Sequence, residues 1–167
     1  VDLTNTVGHY SDLFDPGALD WFVLLNRKTG QKALYALPVG RSTNHVHVWK
    51  SLLEQAGFTL QDIPKKWDAF WSFWCDEVQP AVRKALGRDD IWGVGLSMGA
   101  GVDTQNGFFQ FLAANGGEYV TRDGRLVIDD PEIRRKLVAA VDSYTAFYRT
   151  GCTPPDAVNW APGDRNN

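Results

Sequence analysis

The chain has 167 residues, 44% of them hydrophobic, and a formal net charge of −3. That is long enough to bury a real core, as one domain or one domain plus part of another. Without a clustered run of Lys and Arg it has no surface for neutralising phosphates, which argues against a nucleic-acid partner, and no apolar run approaches the roughly 20 residues that cross a bilayer.

In chain order, residues 1–32 read as irregular with short helical pieces. Asp15-Pro16-Gly17 is a turn that leads into a short helix through Asp20-Trp21-Phe22. Asn26 to Gly30 is a polar turn, and Ala33 to Leu37 reads as a buried strand stopped by Pro38. His45-Val-His-Val48 alternates as a strand does. Trp49, Leu52, Leu53 and Ala56 have helical spacing, and Gly57 closes that helix. Pro64-Lys-Lys-Trp67 opens the next helix, with Trp67, Phe70, Trp71, Trp74 and Val78 on one stripe and Pro80 as a kink or interruption.

Ile91 to Leu96 reads as a strand rich in β-branched and aromatic residues. A small-residue stretch, Ser97 to Gly101, follows it. Asp103 and Thr104 then cap a helix carrying Phe108, Phe109, Phe111 and Leu112, which ends at Gly116-Gly117. Asp123-Gly124 suits the turn of a hairpin spanning Tyr119–Ile128. Asp130-Pro131 is an N-cap followed by a first-turn proline. The helix it opens places Ile133, Leu137, Val141, Tyr144 and Tyr148 on one stripe and ends at Arg149-Thr-Gly151. After Gly151 regular pattern is lost. Strands alternating with helices predict an α/β or α+β class.

Taken together, these landmarks resemble the middle of a family 1 extracellular solute-binding protein, the receptor of a sugar importer. Lys32 to Pro38 is similar to the family's "lysine … tyrosine-x-leucine-proline" strand, and His45 to Gly57 to its crossover strand and helix. Pro64-Lys-Lys-Trp67-Asp68-Ala-Phe70 resembles the "proline-x-threonine-tryptophan-acid" helix start. Ile91 to Gly117 resembles the strand, ligand loop and helix that follow. The Gly116-Gly117, Asp123-Gly124 and Asp130-Pro131-Glu132 series, and Pro154 to Trp160, complete the order. Two departures stand out: His-Val-His-Val-Trp-Lys replaces the usual Tyr-Asn-Lys at the crossover, and Lys66 replaces the usual Thr. The resemblance implies a type II periplasmic binding protein-like α/β fold of two lobes, with residues 1–40 ending the first lobe and 41–167 forming most of the second. It also implies that the chain is a fragment of a longer protein, in keeping with a start at Val1 rather than Met.

Candidate ligand contacts follow from position. Arg41, Asn44 and His45 come after a strand end at the expected crossing between lobes. Asp103, Thr104 and Asn106 follow the carboxyl end of a strand, the side on which α/β layers bind ligands. Trp160 lies on a Pro-rich irregular segment, where it is either a plug for the core or a platform for a sugar ring. His45 and His47 share one side of their strand at a spacing that could seat a metal, but no third ligand is near in sequence, so no metal and no cofactor are expected. Cys75 and Cys152 carry no spacing signature, and disulfide and buried thiols both remain open.

The expected function is binding without catalysis. A sugar or polyol would be held between lobes by aromatic stacking and hydrogen bonds, then delivered to the membrane permease subunits of an ABC importer. The location would be periplasmic or extracellular, with a possible lipid anchor, and the protein monomeric. One rival is a serine hydrolase. Gly95, Ser97 and Gly99 match the Gly-x-Ser-x-Gly elbow, yet no His follows Ser97, so the Ser, acid, His order cannot be completed here. The other rival is a protein-interaction module that uses the aromatic surplus, including seven Trp, as an interface.

Overall fold

The computed structural model describes residues 1–40, 45–121 and 123–161. Helices dominate: α1 (Thr4–Val7), α2 (Lys50–Gln55), α3 (Trp67–Ser72), α4 (Gln79–Leu86), α5 (Val102–Ala114) and α6 (Pro131–Arg149). Strands β1 (Val23–Asn26) and β2 (Gln31–Leu34) form an antiparallel hairpin. The chain divides into two compact units, Val1–Val46 and His47–Asn167.

In the first unit the polar turn read from sequence is the hairpin's connection. Asn26 Oδ1 accepts from Lys28 N–H and its carbonyl accepts from Gly30 N–H, so one side chain and one carbonyl fold the turn. The register pairs Val23 with Leu34 and Asn26 with Gln31. The N-terminal segment docks on β2: Leu3 N–H donates to the Leu34 carbonyl, and Thr4 Oγ1 accepts from Leu34 N–H. Val7 and Leu34 are its buried residues, while Leu24 and Leu25 are half exposed. The expected strand therefore exists, shorter at its end than predicted, and its partner Val23–Asn26 was not anticipated.

The second unit is built on two contiguous clusters. Leu53, Phe73, Trp74 and Val78 form one; Phe111, Tyr144, Phe147 and Cys152 form the other; Val94 packs against both. Between α3 and α4 the helix widens into a π-helical stretch, Phe73–Val78. Pro80 sits at the start of α4 directly after it. An interior proline removes a donor and crowds the carbonyl one turn back, and the wider π geometry relieves both. The same stretch carries Cys75, which is bonded to Cys152 with Cα atoms 5.3 Å apart. Of the expected stripe Trp74 and Val78 are buried, Phe73 joins them in the core, and Trp67 stays 36% exposed.

Two expected strands are absent. His45–Val48 is irregular, and Ile91–Leu96 is an extended segment without ladder partners. The latter is held instead by the 152–157 segment: Val94 N–H donates to the Cys152 carbonyl and Met98 N–H to the Ala157 carbonyl. Thr153 Oγ1 accepts from Leu96 N–H and donates to the Leu96 carbonyl. Among the described residues the second unit therefore contains no sheet, only an isolated bridge, Val120 with Leu126, where the 119–128 hairpin was expected.

Gly93 makes this packing possible. A Cβ there would lie 2.3 Å from the Trp74 carbonyl oxygen and 3.1 Å from Cys152 Sγ. Its N–H donates to Gln79 Oε1 at 2.7 Å, and Gln79 Nε2 donates to the Gly151 carbonyl at 3.1 Å. One buried glutamine thus ties α4 to the extended segment and to the end of α6.

Helix α6 begins as expected. Asp130 Oδ1 accepts from the N–H groups of Glu132 and Ile133, and Pro131 occupies the first turn. Its buried face is Ala140, Tyr144 and Phe147, flanked by half-buried Ile133 and Leu137. Val141 and Tyr148, expected on that stripe, turn outward because the inward line runs through Ala140 and Phe147 instead.

Candidate functional site

The predicted site residues divide between the two units. His45 is exposed in the first. Arg41 and Asn44 lie outside the described residues. Asp103, Thr104, Asn106 and Trp160 belong to the second unit.

Within that unit the small-residue loop Gly95–Gly99 is the meeting point. Trp160 lies over it: a Cβ on Gly95 would meet the indole Cη2 at 3.9 Å, and one on Gly99 would meet the Trp160 carbonyl oxygen at 2.8 Å. Only glycine fits at position 99, because the opposing atoms are backbone and cannot rotate away. On another side of the loop, Ser97 Oγ and Thr104 Oγ1 share a hydrogen bond of 3.0 Å. The Tyr144 hydroxyl donates to the Ser97 carbonyl. Gly107 makes room for it, since a Cβ there would sit 3.2 Å from the Tyr144 oxygen.

Burial pushes the Tyr144 phenol up from its ordinary value of 10.0 to about 12, opposed by a hydrogen bond with Thr104. Desolvation disfavours the phenolate and leaves Tyr144 a neutral donor across the physiological range. Ser97, Thr104 and Tyr144 thus form a hydroxyl network that fixes the loop to α5 and α6. Sequence reasoning missed the roles of Tyr144 and Thr153. Both were legible only as polar atoms on residues bound for a core, where a hydroxyl needs a partner.

The caps were misplaced. Helix α5 starts at Val102 with Gly101 as N-cap and no side-chain cap. Asp103 is an exposed acid in the first turn, where it suits the helix dipole, and Asn106 is exposed one turn on. Thr104 directs its hydroxyl to Ser97 rather than to the helix terminus. The elbow geometry differs too: Ser97 is followed by four more residues before the helix, and its hydroxyl pairs with a threonine.

Among the described residues no group of three or more His, Cys, Asp or Glu is placed to hold a metal ion, and no helix is long and apolar enough to cross a membrane. Comparison with protein-family models, with curated proteins and with solved structures found no match for this chain.

Proposed function

We propose that the chain is part of a solute receptor that binds a neutral sugar or polyol and delivers it to an ABC importer. In this proposal the fold is a two-lobe α/β binding protein, of which the first unit ends one lobe and the second forms most of the other. Binding is a ligand-selected closure without chemical conversion. The ordered resemblance along the sequence is the origin of the reading. The observation that carries it is the convergence on one loop of two segments named from sequence: Trp160 and Thr104 both abut Gly95–Gly99, and Asp103 and Asn106 present exposed polar groups on the same helix as Thr104. An indole and hydrogen-bonding side chains around one loop supply the two kinds of group a sugar uses, an aromatic face for its C–H bonds and polar groups for its hydroxyls.

The disulfide supports a periplasmic or extracellular location, because such bonds persist in oxidising compartments. The sequence resemblance also nominates Arg41, Asn44 and His45 as ligand contacts.

Titration of intrinsic Trp fluorescence and calorimetry with a panel of neutral sugars and polyols tests the reading. Trp160→Ala is expected to weaken binding roughly tenfold, the scale of an aromatic contact. Saturable binding that is unchanged in Trp160→Ala, or no binding across the panel, would remove the proposal.

A further inference from the structure

A second place in the molecule carries sugar-binding chemistry, and it lies away from the Gly95–Gly99 loop. Helices α3, α5 and α6 enclose a pocket of about 330 Å³. This is within the range of small-ligand sites, which run from about 300 to 1,000 Å³. Its wall is aromatic: Trp67 and Trp71 from α3 stand edge-to-face at 5.5 Å, and each packs on Phe111 of α5. Trp67, on the apolar stripe of its helix, keeps about a third of its surface open.

The polar groups around this wall are short of partners. Trp71 Nε1 is buried and donates to no acceptor. Buried indole N–H groups ordinarily find an acceptor, since leaving one unpaired carries a desolvation penalty. Asp68 and Ser72 line the same pocket, one on each side of Trp71 in sequence, and no hydrogen bond or ion pair engages either side chain. Asn115 Nδ2 donates to the Phe111 carbonyl, which leaves its Oδ1 as an acceptor. Ser143 Oγ donates to the Ala139 carbonyl and so offers lone pairs only.

The inventory defines the occupant. Carboxylate, amide oxygen and Ser143 oxygen accept; Ser72 accepts or donates. A ligand must bring several donors and an apolar face. An anion would meet Asp68 with no lining cation to compensate it. A simple quaternary ammonium would meet Asp68 and bring no donor to the Asn115 and Ser143 oxygens.

We propose that this pocket binds a neutral pyranose, with the ring against the Trp67–Trp71 wall and adjacent hydroxyls shared between Asp68 and Ser72. It is a site additional to the one centred on Trp160, and it stands whether or not that reading does.

The test titrates the protein with a panel of neutral mono- and disaccharides at millimolar concentration, with choline and glucuronate as charged controls. The readouts are calorimetry and the indole N–H resonances in an ¹H–¹⁵N spectrum. A neutral sugar is expected to bind and to shift the Trp71 indole N–H. Asp68→Asn, an exposed substitution that keeps shape, is expected to weaken it at least tenfold, the scale of hydrogen bonds to a charged group. Trp67→Ala is expected to do the same, and Trp160→Ala to leave the Trp71 shift in place.

No sugar shifting the Trp71 resonance, unchanged affinity in both Asp68→Asn and Trp67→Ala, or binding of choline alone would overturn the proposal. Sugar binding lost only in Trp160→Ala would overturn this pocket and keep the loop site. Binding lost only in the Asp68 and Trp67 variants would do the reverse.

Discussion

Reduction of Cys75–Cys152 is the perturbation whose magnitude the structure sets most directly. The two residues are 77 apart in sequence and join the π-helical stretch to the segment just past α6. Cutting the bond frees that loop in the unfolded chain. The chain-entropy relation gives about 15 cal/mol/K for a loop of this length, or about 4.5 kcal/mol at 25 °C. For a chain of this size the same change corresponds to a fall in Tm of roughly 9–18 °C. Cys152 is buried in the aromatic cluster of α5 and α6, so the loosened chain also loses an anchor for the 152–157 segment that holds Val94 and Met98.

The measurement is urea and thermal unfolding of oxidised protein, of protein in excess phosphine reductant, and of the Cys75→Ala/Cys152→Ala double variant. Reduced and double-variant proteins are expected to unfold at clearly lower urea, with a larger m value because their unfolded chains expose more surface. Coincident midpoints for oxidised and reduced protein, with free thiols verified by mass, would refute the reasoning.

Gly93→Ala is expected to cost at least about 1–3 kcal/mol, because the added methyl meets a fixed Trp74 carbonyl rather than a rotatable side chain; a urea melt reads it. Gln79→Leu leaves the Gly93 N–H and the Gly151 carbonyl without their partner, and is expected to cost about 1–3 kcal/mol for each group by the same assay. Asp130→Ala removes the cap of α6 and is expected to cost about 1 kcal/mol, visible as a lower Tm. Tyr144 has its folded pKa raised, so the stability tied to its neutral form is fully present below the ordinary value of 10.0 and is lost as pH rises toward about 12. Alkaline titration at the phenolate absorbance should show one late tyrosine, absent in Tyr144→Phe.

Local chemistry made part of this molecule readable from sequence. The start of α6 needs only Asp130 and the two N–H groups that follow it. The turn at Asn26–Gly30 closes through atoms a few residues apart, and the existence of α5, though not its cap, follows from its apolar spacing. In each case the donor and acceptor are neighbours along the chain, so the signal lies inside a short window.

The remainder depended on partners far away. Ile91–Leu96 has the composition of a strand, yet its hydrogen bonds are taken by Cys152 and Thr153 about sixty residues later, so it forms no ladder. Thr104 reads as a cap until Ser97 is brought within 3.0 Å of it. The stripe on α6 shifts from Val141 and Tyr148 to Ala140 and Phe147 because the neighbouring α5 and the 94–98 segment decide which face is covered. Trp67 and Trp71 look alike in a helical stripe. The close packing of α3, α5 and α6 leaves one partly open and buries the indole N–H of the other, and periodicity carries no information about which neighbour will arrive.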